Sequence, residues 1–166
     1  MRFADPLIKG GGQERGARAG TENVAAIAGF GAAAGALDAE GRRVARLRDR
    51  LETGLKAHFP TAVVFGAEVE RLPNTTLFAV PGGNAETAVI GLDLAGVAVS
   101  SGSACSSGKV AASHVLAAMG VPSSLARGAV RVSLGYGTEE SDLDRFLAAW
   151  IKLAQGLFKG SHGIAA

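Results

Sequence analysis

The hydrophobic period of this chain switches repeatedly between three-to-four residues and two, and that switching constrains the fold more than any other feature. Val44, Leu47, Leu51 and Leu55 recur at helical spacing up to Phe59-Pro60, so a helix with one buried face is predicted there. Ahead of it, Ala25 to Leu37 is rich in small helix-compatible residues behind Thr21, a candidate N-cap. Gly41 is expected to break or bend the helix between the two stretches. Strands are predicted at 62–65, 75–80, 97–100 and 129–134. Pro81-Gly82-Gly83 forms a turn, and Asn84 caps a helix to about Leu94 with Glu86 in its first turn. A helix over Ser113 to Met119 stops at Gly120, with Pro122 just beyond. The last helix is expected to start from a Thr138 cap. Its core face is Leu143, Phe146, Leu147, Trp150, Ile151, Ala154, Leu157 and Phe158. Strands alternating with helices imply a small sheet with helices packed against it, an α/β fold.

Composition narrows the function classes. The chain has 166 residues, 48% hydrophobic and 19% charged, which is one domain with material for a core. No uninterrupted run of about 18 apolar residues exists, so a transmembrane helix is not expected. Met1 to Pro6 lacks the apolar heart of a secretion signal, and a cytoplasmic location is expected. The net charge of +2 gives no basic stripe, so neither nucleic acid nor a membrane is an expected partner. Arg42, Arg43, Arg46, Arg48 and Arg50 cluster on the helical pattern and read as a solvated helix face. A single cysteine excludes internal disulfides and a Cys-rich metal site made by this chain alone. His58, His114 and His162 are too scattered to pair as ligands, and no metal is expected.

Two glycine-rich loops carry the chemistry. Around Cys105, serine and glycine fill most positions from Ser100 to Gly108. A lone cysteine is most often a buried structural residue. These polar, small neighbours argue instead for a reactive thiol, whose nucleophilic form is the thiolate. The other loop is Gly10-Gly11-Gly12-Gln13-Glu14-Arg15-Gly16-Ala17-Arg18-Ala19-Gly20-Thr21. Its exposed amides, its arginines and a helix start at Thr21 suit an anion, although no Gly-Lys-Ser/Thr makes it a Walker loop. Gly29-Phe30-Gly31-Ala32-Ala33-Ala34 formally matches a dinucleotide fingerprint but lies within a helical pattern with no strand before it.

Three separated motifs in register resemble one family. They are Gly10-Gly11-Gly12-Gln13-Glu14-Arg15-Gly16 running on to Gly20-Thr21-Glu22-Asn23, Ser100-Ser101-Gly102-Ser103-Ala104-Cys105, and Val130-Arg131-Val132-Ser133-Leu134-Gly135. Together, from about Ile8 to Ala154, the chain resembles the cysteine desulfurases of the NifS/IscS type. These are class V aminotransferase-like enzymes among the fold-type-I pyridoxal phosphate proteins. The resemblance implies that Cys105 is the nucleophile that takes sulfur from L-cysteine as a persulfide while alanine is released. It implies that Arg131 binds the substrate carboxylate, a planar anion suited to a guanidinium fork. Thr21 matches the residue that reaches the cofactor phosphate of the other subunit of a homodimer, while Ala19 stands where the family commonly has serine. His114 is assigned no role.

The family's cofactor lysine follows a histidine. Here Lys9, Lys56, Lys109, Lys152 and Lys159 do not, because His58, His114 and His162 precede Phe59, Val115 and Gly163. The resemblance is therefore to the small C-terminal domain of a fold-type-I transferase, which implies a short mixed or antiparallel sheet covered by helices. Residues 1–21 match the Gly-rich loop at the end of the large domain, 22–159 the small domain, and 160–166 a loose tail. Pyridoxal 5'-phosphate would be held covalently by an N-terminal large domain or a complementing chain, and this chain alone is expected to be inactive. The sulfur acceptor is expected to be a protein such as an iron–sulfur scaffold, or an enzyme of thio-cofactor assembly. The alternative is a non-enzymatic remnant that carries a persulfide, senses redox state or dimerises.

Overall fold

The computed structural model describes residues 5–102 and 113–157. The chain divides into two compact units, Met1–Ala39 and Glu40–Ala166. The first holds a 3-10 turn at Gln13–Gly16 and the start of helix α1 (Val24–His58). In the second, α1 is followed by β1 (Val63–Val64), β2 (Thr75–Ala79), α2 (Ala85–Leu94), β3 (Ser100–Ser101), α3 (His114–Ala118), α4 (Ser123–Ala126), β4 (Val130–Ser133) and α5 (Glu140–Leu157). No helix among the described residues is long and apolar enough to cross a membrane.

The sheet runs β1-β2-β4-β3, and every neighbouring pair is antiparallel. Its main core lies on one face. Phe78, Val80, Val130, Val132 and Leu134 point to it from the sheet and meet Val44, Leu47, Leu51 and Leu55 of α1, Ala88 and Leu92 of α2, and Leu143, Phe146 and Trp150 of α5. Leu147 and Ile151 are half-buried and Ala154 is buried, as the α5 pattern predicts. The Leu157 side chain and Phe158 lie outside the described residues.

Several local expectations are corrected. Gly41 does not interrupt α1, since one interior glycine costs only about 1 kcal/mol relative to alanine. The cap of α1 is Asn23 rather than Thr21: its Oδ1 accepts from the Ala26 amide at 3.1 Å. Thr138 does not cap α5 either. Its hydroxyl accepts from the Gly135 amide at 2.9 Å and closes the turn after β4, while Asp142 Oδ2 accepts from the Glu139 amide at the helix start. Among the described residues, Ser100 and Ser101 alone pair as the third strand. Val97 and Val99 instead turn half-buried toward the core, beside a cavity of about 200 Å³ lined in part by Val132 and Phe146. Helix α4 was not expected. Its N-cap Pro122 has no side-chain donor or acceptor to announce it. The Asn84 cap is present, accepting from the Thr87 amide at 3.1 Å.

A bidentate ion pair ties the β1–β2 connection to α1. Arg71 Nη1 and Nη2 donate to Glu52 Oε1 and Oε2, each at 2.7 Å, with both side chains mostly buried. Burial alone would raise the Glu52 carboxyl, but the Arg71 hydrogen bonds and the charges of Arg71 and Arg48 outweigh it, so it is held below its ordinary value. The Thr76 hydroxyl adds to the lowering, although no partner lies within ordinary hydrogen-bonding distance of it. A lowered folded value means the stability from Glu52 is complete above the ordinary glutamate pKa of about 4.3 and is lost as pH falls through the folded value. Glu52→Gln is therefore expected to cost about 1–2 kcal/mol at pH 7 and to flatten the acid limb of the stability curve. Urea titrations from pH 3 to 7 check this, and an unchanged acid slope in the variant would refute it.

Candidate functional site

The alternation in β4 puts Val130 and Val132 into the main core and leaves Arg131 and Ser133 exposed on the opposite face. Across the ladder Arg131 stands opposite Leu77 of β2 and Ser100 of β3, and Ser133 opposite Thr75. That face has a second, smaller core at one end. Ala79, Ala129, Leu116 and Ala126 are buried there, with Leu77, Phe65, Val121 and Leu125 packed around them. Helices α3 and α4 supply the cover through Leu116, Leu125 and Ala126. Arg131 lies exposed on the same face, next along β4.

Both described ends of the serine- and glycine-rich segment attach to this face. The Gly102 amide donates to the Ala129 carbonyl at 2.7 Å. Glycine is required at that crossing, because a Cβ would stand 2.9 Å from the Ala129 Cβ and 3.3 Å from its carbonyl oxygen. The chain re-enters at Ser113, which is buried and accepts from the Leu116 amide at 3.3 Å to start α3. Leu116 belongs to the same small core as Ala129. Cys105 lies outside the described residues. His114 is exposed on α3.

The other loop belongs to the first unit. Glu14 and Arg15 sit at φ 51° and 58°, a left-handed conformation that costs non-glycine residues roughly 1–2 kcal/mol each. The Ala19 amide donates to the Ile8 carbonyl at 3.1 Å, and Ala19 is the buried residue of the loop. Arg18 Nη1 donates to the Thr21 carbonyl at 2.7 Å, so this guanidinium fixes the chain at residue 21. Thr21 itself is exposed, and with Asn23 taking the cap its hydroxyl is not used by the helix.

A covalent cofactor requires a lysine in an enclosed site. Lys9 pairs with Asp5 at 2.9 Å on the surface, and Lys56 and Lys152 are exposed on α1 and α5. Among the described residues no lysine is enclosed in this way; Thr21 is an exposed residue of the first unit, and Arg131 an exposed one of the second.

Arg43 is a functional-looking residue that the sequence pattern grouped with the solvated arginines. Its guanidinium makes five hydrogen bonds. Nε and Nη2 donate to Glu40, Nη1 to the Thr138 carbonyl at 2.6 Å, and Nη2 also to the Tyr136 and Gly135 carbonyls at 2.6 and 3.3 Å. The hydrogen bonds from Arg43 hold the Glu40 carboxyl below its ordinary value. The turn leaving β4 is thereby fastened to α1. The Glu40/Arg43 spacing was a visible signal; the turn it grips, more than 90 residues later, was not.

Comparison with known proteins gives the family. The aminotransferase class-V family matches residues 8–146. A cysteine desulfurase from Cereibacter sphaeroides is 50% identical over 143 residues, covering 86% of this chain and 37% of that protein. The cysteine desulfurase NifS of Azotobacter vinelandii is 46% identical over 146 residues, covering 86% of this chain and 36% of its own length. Among solved structures, a NifS-like protein from Rickettsia africae superposes with a TM-score of 0.75 at 37% identity, over 93% of this chain and 41% of the other. The chain therefore spans less than half the length of the relatives it matches.

Proposed function

We propose, because this chain belongs to the aminotransferase class-V family, that it is the thiol-bearing part of a cytoplasmic, pyridoxal-phosphate-dependent cysteine desulfurase. The single observation that carries the reading is the β3–β4 register. Ser100, five residues before Cys105 in sequence, stands opposite Arg131, so the strand that precedes Cys105 and the strand that carries Arg131 are neighbours in the sheet. Arg131 would hold the carboxylate of L-cysteine through two parallel N–H···O bonds. Thr21 would donate its hydroxyl to the cofactor phosphate, across the interface of a homodimer. The cofactor, when bound by a lysine outside this chain, supplies the electron sink that makes the Cβ–S bond labile.

The work of this chain is to receive the sulfur. The Cys105 thiolate forms an S–S bond as the Cβ–S bond of L-cysteine breaks. The pair of electrons left on carbon takes a proton, alanine leaves, and Cys105 carries a persulfide. One thiol and one cysteine give one persulfide and one alanine, so no outside oxidant is needed. The persulfide then passes to an acceptor protein such as an iron–sulfur scaffold or a thio-cofactor enzyme. Without the cofactor lysine the chain alone is inactive.

The test joins this chain to the part of the Cereibacter sphaeroides relative that it does not match, with pyridoxal phosphate and L-cysteine. Alanine release and a gain of one sulfur atom on Cys105 are expected, and neither appearing refutes the reading. Persulfide uptake from another desulfurase with no pyridoxal phosphate bound would instead favour a carrier. In the active assembly Arg131→Lys is expected to raise KM for L-cysteine about 10- to 100-fold with a smaller change in kcat, because a lysine cannot make the fork. An unchanged KM would remove Arg131 from the substrate site.

A further inference from the structure

Strand β4 presents Arg131, yet its two edges are supported unequally. Toward β2 the ladder runs from Val130 to Ser133. Asn74 then engages both backbone groups of Leu134: its carbonyl accepts from the amide at 2.8 Å, and its Nδ2 donates to the carbonyl at 3.2 Å. Toward β3 the pairing among the described residues covers only Val130 and Arg131. Beyond Arg131 the two chains part around the cavity of about 200 Å³, which Val97 and Val99 line from one and Val132, Ser133 and Leu134 from the other. A strand held along one edge, with open space along the other, can roll about its single ladder. Such a roll is magnified at the tip of a long side chain. Misplacing a substrate-positioning group by about 1 Å can cost on the order of 100-fold.

Arg43 supplies the support that the open edge lacks. It precedes Val44, which is buried in the main core with Leu47, so it projects from a fixed part of α1. Glu40, one turn earlier, accepts from Nε and Nη2 and sets the plane of the guanidinium. The same guanidinium grips the carbonyls of Gly135, Tyr136 and Thr138, in the turn that follows β4. All three acceptors are backbone atoms, so the path of the chain is held rather than any one side chain. Thr138 also lines the cavity, which puts the grip at the rim of the space into which β4 could roll.

We infer that Arg43 is a positioning residue for the carboxylate site: by tying the end of β4 to α1 it fixes where Arg131 presents its guanidinium. The inference deepens the reading above and rests on Arg131 binding the carboxylate of L-cysteine. A tie that served stability alone would leave substrate binding unmoved.

The test uses this chain joined to the unmatched part of the Cereibacter sphaeroides relative. Arg43→Ala is expected to raise KM for L-cysteine about 10-fold with kcat changed less than about 3-fold. Arg43→Lys keeps the charge but cannot span Glu40 and three carbonyls, so its KM should fall between; it is also the variant to read if Arg43→Ala does not fold. Glu52→Gln breaks the other ion pair of α1 and should leave KM within about 2-fold, which separates positioning from general loosening. In an Arg131→Lys background Arg43→Ala should add less than about 2-fold, because the two residues act as one unit. In the chain alone, Arg43→Ala should speed hydrogen exchange at Leu134 and Gly135 at least about 10-fold while Leu51 and Leu55 stay protected. Unmoved exchange there, full additivity with Arg131→Lys, or an equal rise of KM in Glu52→Gln would each overturn the inference. If Arg131→Lys raises KM and Arg43→Ala does not, this inference fails and the carboxylate reading stands. If Arg131→Lys leaves KM unchanged, the carboxylate reading fails and takes this inference with it.

Discussion

Cys105→Ser should abolish alanine release in the completed assembly, by at least about 1,000-fold, or roughly 4 kcal/mol of transition-state stabilisation. The reason is chemical. A thiol near its ordinary pKa is a few per cent thiolate at neutral pH and intrinsically very nucleophilic, while a serine hydroxyl has neither property without a dedicated base. A serine also cannot hold sulfur as an S–S bond, so no partial turnover through residue 105 remains. The substitution is nearly isosteric and falls in a segment already rich in serine, so the fold should be untouched. Alanine quantified over time, with the mass of the 103–112 peptide in parallel, reads the effect. Release at wild-type rate with no sulfur on the chain would mean that another nucleophile receives the atom.

The effect on Arg131 would be smaller and of a different kind, and the contrast separates the two roles. In the proposed role Arg131 would meet a charge that the substrate carries in its ground state as well as in the transition state. Loss of its fork therefore falls mainly on binding. In the proposed role Cys105 would form a bond made only in the reaction, so its loss would fall on turnover. A result in which both substitutions changed KM alone would argue for a carboxylate-binding module with no sulfur chemistry.

How much of this was legible beforehand follows from the physics of each signal. Long, strongly periodic segments read well: Val44 to Leu55 and Leu143 to Trp150 bury the faces their spacing predicts, because one apolar stripe has one way to be removed from water. The exposed Arg131 between buried valines read equally well, since strand alternation admits one arrangement. Caps read poorly. Thr21, Glu22 and Asn23 at one helix start, and Thr138 and Glu139 at the other, all have side chains able to accept from an amide, and the choice of Asn23 at α1 is set by where the helix starts, which the local sequence does not determine. The third strand slipped toward Ser100-Ser101 because Val97 and Val99 gain more from the core than from the ladder. Arg43 was invisible for another reason: its partners at Gly135, Tyr136 and Thr138 are far along the chain, and carbonyl acceptors carry no side-chain signature. The motif residues Cys105, Arg131 and Thr21 came from resemblance, and the register of β3 against β4 gives two of those motifs a common address.

The largest stability effect is expected at Phe78. This ring is fully buried on β2, one residue from its end, and β2 is the strand joined to both β1 and β4. It meets Trp150 edge-on at 5.0 Å and Phe146 at 6.3 Å, with interplanar angles of 80° and 90°, and Trp150 in turn meets Phe59 at 6.3 Å. Phe78→Ala should cost about 3–5 kcal/mol: lost transfer energy, a cavity that these rigid neighbours cannot fill, and the loss of two edge-to-face pairs. That is a large fraction of the roughly 5–15 kcal/mol that separates folded from unfolded domains. The chain's single tryptophan is the partner itself, so its fluorescence in urea reports the midpoint directly. Leu94→Ala, at a residue 85% exposed, should stay within about 0.5 kcal/mol and serves as the control. Because Leu77, the residue before Phe78, stands opposite Arg131, loosening of this strand should also raise hydrogen exchange along β4 before global unfolding. A loss below about 1 kcal/mol would mean that the aromatic cluster repacks, and that the strand presenting the guanidinium is held by its ladder alone.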